Sequence, residues 1–306
     1  MSVNGYTDAS DRLNPTGYLK VARVPFLLLP VTLTVVGAAA SAYAGAFDLL
    51  HTSLALVGLV LLHVSVNALN EYSDWRRGID EETEPTKFSG GSKALVEEEV
   101  KPKGALALGL GTLFVAFVIG LYFLYVYGAA MAVFIVVGGA LVVGYTDLFA
   151  RTGLGEVSAG LGLGALPVVG VGFVQSGSVE PVVLAASVPC FFLTFNLLLL
   201  NEFPDVEADT KGGRTNLVTL LGETRAKYAY VGVVALCALS IVALSAAGFL
   251  PVWSIGALAG FVLLRRPVSA AFRDAEITEA ALGGNVGWVI VTNLLLGGSF
   301  VLPLFL

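Results

Sequence analysis

The chain has 306 residues, 56% hydrophobic and 13% charged, with a formal net charge of −6 and a mean hydropathy of +0.84. Soluble domains carry about a quarter charged residues, so this composition excludes a soluble globular protein and predicts an integral membrane protein. Cys190 and Cys237 both lie inside apolar runs, which argues against a disulfide framework and for small packing residues.

Residues 1–18 are polar, and the apolar run after them is too long for a cleaved signal peptide. A membrane span needs about 20 apolar residues. Nine runs qualify, at about 20–44, 52–72, 104–126, 129–146, 154–175, 181–202, 226–247, 250–265 and 282–304. With nine spans, all 17 Lys and Arg residues fall on the side of the amino terminus, from Arg12, Lys20 and Arg23 to Arg265, Arg266 and Arg273. The positive-inside rule makes that side cytoplasmic and puts the carboxyl terminus outside. The other side carries only Asp48 and Glu180.

One six-residue word occurs twice, each time where an apolar run gives way to a charged loop. Leu69-Asn70-Glu71-Tyr72-Ser73-Asp74 is matched by Leu200-Asn201-Glu202-Phe203-Pro204-Asp205. Asn and Asp are four apart, so a helix continuing through them puts both on one face. Asp80 follows the first word and Asp209 the second. A second echo pairs the stretch from Gly90 to Val96 with that from Gly212 to Val218. Two matched words in the same order indicate an internal duplication. The expected fold is an all-α membrane protein of nine transmembrane helices: two four-helix parallel repeats, about 17–146 and 154–266, plus a last helix at 282–304, in one domain around a central cavity. The loops 75–103 and 204–225 would cap that cavity.

Carboxylates at membrane depth are expensive and usually functional. Asn70, Asp74, Asp80, Asn201, Asp205 and Asp209 form an oxygen-only donor set without His or Cys, which suits a hard cation. Mg²⁺ favours one or two carboxylates per ion plus substrate phosphate oxygens, so two facing clusters would hold two ions on a diphosphate. Lys87, Lys93 and Arg214 would take the remaining phosphate charge. A diphosphate at the mouth of an apolar cavity implies a lipid substrate, and its departure from an allylic carbon leaves a cation. Tyr72, Tyr145 and Phe203 are the candidate aromatic shelters.

These motifs, Asn70-x-x-x-Asp74-x-x-x-Gly78-x-Asp80 and Asp205-x-x-x-Asp209, resemble the two aspartate-rich motifs of the UbiA-type intramembrane prenyltransferases. The resemblance implies nine transmembrane helices and Mg²⁺-dependent transfer of a polyprenyl group from its diphosphate to an acceptor, usually aromatic. It implies catalytic roles for Asp74, Asp205, Tyr145 and the basic residue after the fourth helix, and diphosphate contacts from Arg23, Asn70 and Asn201. That basic residue is Arg151 here where the family usually has lysine, and arginine cannot act as a base at neutral pH. The form of the motifs is similar to the branch that prenylates 1,4-dihydroxy-2-naphthoate for menaquinone. Other branches act on 4-hydroxybenzoate, haem or archaeal glycerol-phosphate lipids.

Three rival classes fit less well. Transporters place polar sites near the midplane, whereas these cluster at helix ends. A CDP-alcohol phosphatidyltransferase would need a tighter Asp-x-x-Asp-Gly word. A lipid-binding scaffold would be indifferent to Mg²⁺. No nucleotide loop, zinc spacing or nucleophile triad is present, and no nucleic-acid partner is expected. His63, Asn67, Asn196, Asn285 and Asn293 are expected as polar contacts between helices.

Overall fold

The computed structural model describes residues 14–82, 86 and 88–305, and every regular element among them is helical. A short helix α1 (Pro15–Val21), capped by Asn14, leads into a sharp turn at Arg23. A single 3₁₀ turn (Val24–Leu27) then passes into α2 (Leu28–Tyr43). Helix α3 (Leu49–Arg77) starts on the Asp48 cap and ends at Gly78, whose φ of 73° is left-handed backbone. At 29 residues it is about 44 Å long, against a hydrocarbon core of about 30 Å. Its last turns, with Asn70 and Asp74, therefore emerge beyond the apolar stretch. The short α4 (Ile79–Glu82) folds over that end.

Helices α5 (Pro102–Tyr127) and α6 (Ala130–Asp147) form a hairpin. Then α7 (Gly155–Gly160), a π-helical stretch (Leu161–Ala165) and α8 (Leu166–Ser176) make one path. Pro167 has no N–H for the carbonyl of Leu163, and the helix widens just before it. The widened stretch lies hard against α9 (Pro181–Asn201): a Cβ on Gly164 would come within 2.6 Å of the Cys190 carbonyl oxygen.

After α9 come two short helices, α10 (Val206–Lys211) and α11 (Leu217–Leu221). Helix α12 (Glu223–Ala246), a 3₁₀ stretch (Val252–Leu264) running into α13 (Arg265–Phe272), and α14 (Glu279–Val301) complete the bundle.

Eight of these helical paths are long and apolar enough to cross a membrane. The expected fourth span, Ala130–Tyr145, is a shorter apolar helix. Helices α2 and α9 are the most buried, while α5 and α12 turn much of their surface outward. The central helices are tied by side-chain amides, as intramembrane polar groups require. Asn196 Nδ2 donates to the Tyr230 carbonyl at 3.0 Å, Asn285 Nδ2 to the Asn196 carbonyl at 2.9 Å, and the Tyr230 hydroxyl to Asn285 at 2.9 Å. Asn293 Nδ2 reaches Thr32 Oγ1 at 3.4 Å. Both cysteines are free and buried.

Candidate active site

The ends of α3 and α9 face one cavity. Its polar end is lined by Asn70, Asp74 and Asp80 from the first word and by Asn201, Asp205 and Asp209 from the second. Arg23, Arg214, Tyr145 and the Ser89–Gly91 backbone close around them. Deeper, the walls turn apolar with Phe26, Leu29, Leu163 and Leu197.

In the first cluster Asn70, Glu71 and Asp74 are paired. Asn70 Nδ2 donates to Asp74 Oδ2 at 2.8 Å, so these two residues do share a helix face. Glu71, 1% exposed, accepts from Arg23 Nε at 3.1 Å and Nη2 at 3.0 Å, and from the Ser92 amide at 2.8 Å and hydroxyl at 2.7 Å. Arg23 sits at φ 50°, left-handed backbone that costs a non-glycine residue about 1 kcal/mol; the double contact to Glu71 holds it there. Gly91 has no side chain for a reason of space: a Cβ would stand 2.5 Å from Asp80 Oδ1.

In the second cluster the chain breaks instead. Pro204 cannot continue α9, which ends at Asn201, and Asp205 lies in the turn before α10. Asn201 and Asp205 therefore do not ride one continuous helix, unlike Asn70 and Asp74. Asp205 Oδ2 accepts from the Gly90 amide at 3.0 Å, but Asp205 Oδ1 and Asn201 Oδ1 are buried without a hydrogen-bond partner. Asp209 accepts from Asn216 Nδ2 at 3.0 Å and from Arg214 Nη1 at 3.5 Å.

Arg214 spans the two clusters. Its Nη2 reaches Asn70 Oδ1 at 2.8 Å and Asp74 Oδ1 at 2.5 Å, while Nη1 faces Asp209. Burial opposes its charge, and Asp74 and Asp209 more than offset this, so its pKa goes up. Burial pushes Asp80 up to about 8, helped by the charges of Glu71 and Asp74. Burial likewise pushes Asp205 up to about 7, with Asp209 adding to it and the Gly90 amide opposing. Glu202 is raised well above the carboxylate range by burial and by its neighbour Glu156. Glu202 Oε2 and Glu156 Oε2 are both buried without a donor, which a proton carried on Glu202 resolves.

The donor set fits Mg²⁺. Among the described residues no three His, Cys, Asp or Glu side chains form a ready-made metal cage. Two oxygens of the second cluster are nonetheless buried and unsatisfied. Mg²⁺ is commonly bound in this way, by one or two carboxylates, with waters and substrate phosphate completing the shell.

The model of the UbiA prenyltransferase family matches residues 31–282. The chain belongs to the UbiA prenyltransferase family. It is 32% identical over 178 residues to the 1,4-dihydroxy-2-naphthoate octaprenyltransferase of Bacillus subtilis, covering 57% of this chain and 56% of that one. It thus spans little more than half the length of that relative. It is 27% identical over 219 residues to the protein of the same name from Escherichia coli, covering 69% of this chain and 70% of that one. A UbiA homologue from Aeropyrum pernix superposes with a TM-score of 0.71 at 18% identity, over 92% of this chain and 98% of that one. A UbiA homologue from Archaeoglobus fulgidus bound to GPP and Mg²⁺ superposes with a TM-score of 0.65 at 15% identity, over 92% and 99%. These two likenesses establish a shared fold.

In this UbiA family member most of the residues singled out in the sequence converge: Arg23, Asn70, Asp74, Asp80, Tyr145, Asn201, Asp205, Asp209 and Arg214 all line the cavity. Others do not. Arg151 is exposed, and the cavity wall is formed by its neighbour Ala150. Lys93 stands outside the lining at a left-handed φ of 58°. Lys87 lies outside the described residues. Of the three candidate aromatics only Tyr145 lines the cavity; Tyr72 packs on Trp75 and Phe203 joins the core. Asn67 donates to the Ala22 carbonyl at 3.0 Å, a contact from α3 to the end of α1, and both it and His63 also line the cavity. Sequence reasoning left Glu71, Ser92, Glu156, Glu202 and Asn216 without roles. The glutamates at the third position of the repeated word, Glu71 and Glu202, were the available signal.

Proposed function

We propose that this protein is an Mg²⁺-dependent enzyme that moves a polyprenyl group from its diphosphate to 1,4-dihydroxy-2-naphthoate. The observation that carries this reading is the meeting of two oxygen-rich clusters and two arginines at the mouth of one apolar-walled cavity. The curated relatives supply the acceptor by their name. A prenyl diphosphate fits both ends, with its charge among Arg23, Arg214 and the clusters and its tail below.

Asn70, Asp74, Asp80, Asn201, Asp205 and Asp209 would hold two Mg²⁺ ions. The chemistry Mg²⁺ supplies when bound is neutralisation of the diphosphate oxygens as they leave. Arg214 exchanges carboxylate partners for phosphate oxygens, and Arg23, fixed by Glu71, presents its outer face to the same group. The bond from the prenyl C1 to diphosphate oxygen breaks. The Tyr145 ring offers a π face to the developing cation. An electron-rich ring carbon bonds to C1, and the ring carboxylate departs as CO₂. The capping segments, with Phe88 and Gly90 folded over the mouth, keep water from the cation. Arg151, protonated at neutral pH and outside the lining, removes no proton; the role left to it is contact with a phosphate arriving at the mouth.

The topology proposed with this reading counts α6 as a ninth span. The halves are then parallel repeats, the amino terminus is cytoplasmic, and the site opens at the inner leaflet. The unbroken segregation of all 17 basic residues supports it.

The test is incubation of purified protein with Mg²⁺, geranylgeranyl diphosphate and a panel of acceptors, read by product mass. The reading expects a decarboxylated prenyl naphthoquinol and its loss on chelation. A product on 4-hydroxybenzoate, haem or a glycerol phosphate would overturn the acceptor. No prenyl product on any acceptor would overturn the transfer.

A further inference from the structure

The repeated word carries a second matched pair on its inward side. His63 stands seven residues before Asn70 in α3, and Thr194 stands seven residues before Asn201 in α9. That spacing sets each about 10 Å deeper along its helix than its asparagine. Both side chains line the cavity that the acidic clusters close. Both are deeply buried, His63 at 5% exposure and Thr194 at 2%. Both nevertheless hold a polar atom with no hydrogen-bond partner among the described residues, His63 Nε2 and Thr194 Oγ1.

The two atoms are chemically complementary. The other ring nitrogen of His63 faces the Leu59 carbonyl one turn back. That contact places the ring proton there and leaves Nε2 an acceptor. Thr34, Thr52 and Thr112 return their hydroxyls to the carbonyl four residues earlier, a common bond for a threonine within a helix. Thr194 makes no such bond, so its hydroxyl proton is available to a ligand. One acceptor and one donor, offered from two helices, match the proton and the oxygen of a single hydroxyl group. A hydrocarbon tail would leave both atoms unpaired, at a cost in free energy.

From this pairing we infer that His63 and Thr194 bind a ring hydroxyl of the prenyl acceptor, and so decide which rings are accepted and which carbon meets the donor. The inference rests on the functional reading above, which supplies an aromatic acceptor. In 1,4-dihydroxy-2-naphthoate the 1-hydroxyl lies beside the carboxylate and bonds to it internally. The 4-hydroxyl, across the ring, is the one left for the protein. Held by the deeper pair, it turns the carboxylate-bearing side of the ring towards the clusters, where the prenyl C1–oxygen bond breaks.

The experiment measures acceptor and donor KM for His63→Leu and Thr194→Val, with Mg²⁺ and geranylgeranyl diphosphate in detergent. Beside it runs inhibition by 1-hydroxy-2-naphthoate, which lacks the 4-hydroxyl. Each variant raises the acceptor KM about tenfold, the scale of one buried hydrogen bond, and leaves the donor KM unchanged. Inhibition by 1-hydroxy-2-naphthoate also stays unchanged, because it never made the bond. His63→Gln and Thr194→Ser, which keep an acceptor and a hydroxyl, recover most of the loss. An unchanged acceptor KM in properly folded variants overturns the inference, and so does an equal loss for both naphthoates. A rise in the donor KM alone assigns the pair to the tail and overturns it too. Absence of any prenyl product from the unaltered protein sinks the functional reading itself, a failure seen before any variant is made.

Discussion

The two copies of the motif share a sequence and differ in how they are satisfied. In the first, Glu71 is closed by Arg23 and Ser92, and Asp74 by Asn70 and Arg214. In the second, Asn201 and Asp205 each bury an oxygen that has no partner. Glu71 and Asp74 of the first word are paired by the protein, while Asn201 and Asp205 of the second each keep one oxygen in deficit. A buried unsatisfied oxygen costs free energy unless something arrives to pair it. On the proposed function, the asymmetry would separate two tasks within one site: the second word would be the one short of a cation, and Arg214 the group that could turn from Asp74 to a diphosphate.

Four measurements break or sharpen that contrast. The largest effect is expected in catalysis: Asp205→Asn and Asp74→Asn each lower turnover about 10²–10³-fold, the scale for losing a group that stabilises developing charge. Asp205→Asn in addition shifts the Mg²⁺ requirement to higher concentration. Equal Mg²⁺ requirements in the two variants would erase the asymmetry.

Stability of the metal-free protein should split the two the other way. Asp74→Asn removes a buried partner of Arg214, whose side chain is 17% exposed, and costs about 3 kcal/mol. Asp205→Asn removes a carboxylate that forms no ion pair among the described residues and whose burial outweighs the pull of Arg23 and Arg214, and it leaves the melting temperature unchanged or higher. Thermal unfolding in detergent with chelator checks this, and a fall for Asp205→Asn would contradict it.

Glu71→Gln keeps the shape and removes the charge that anchors the strained Arg23 turn. It should cost about 2 kcal/mol and raise the KM for the donor more than it lowers kcat. A change in kcat alone would place Arg23 outside diphosphate binding.

The smallest effect is with pH. Asp205 and Asp80 are raised to about 7 and about 8, so protons compete with Mg²⁺ below those values. In the metal-free protein the folded state binds these protons more tightly than the unfolded chain. Stability therefore declines as pH rises from the ordinary carboxylate range through 7 to 8. Saturating Mg²⁺ should flatten that decline, and turnover at low Mg²⁺ should climb over the same interval. A pH-independent Mg²⁺ requirement would remove these carboxyls from the metal.

Much of this architecture was legible in local pattern. Long apolar runs mark helices whatever their partners, and the Asn70–Asp74 spacing places both on one face because α3 continues through them. The same spacing misleads at Asn201 and Asp205, where Pro204 ends the helix. Arg214 could be singled out as a candidate phosphate contact, and it does line the cavity, but its bridging was not readable, since its partners Asn70 and Asp74 lie 144 and 140 residues away. Glu156 accepts from the Leu217 amide 61 residues on, at 2.6 Å, another contact no local window contains. Arg151 was credited by its position after a helix; the turn at Phe149–Arg151 points the wall-forming role to Ala150 instead. The widened stretch before Pro167 leaves no clear periodic trace, because one extra residue per turn barely disturbs an all-apolar segment.

The bridges at the mouth run across the chain in both directions: Gly90 serves Asp205, and Arg214 serves Asp74. Asn70 donates to Asp74 from one turn away, but the cation paired with Asp74 comes from the second half. During synthesis, the first helices must therefore wait in the bilayer with Asp74 lacking its counter-ion until residue 214 has left the ribosome. A chain that stops short of residue 214 would lack this ion pair altogether, so the first motif reaches its folded state only together with the second.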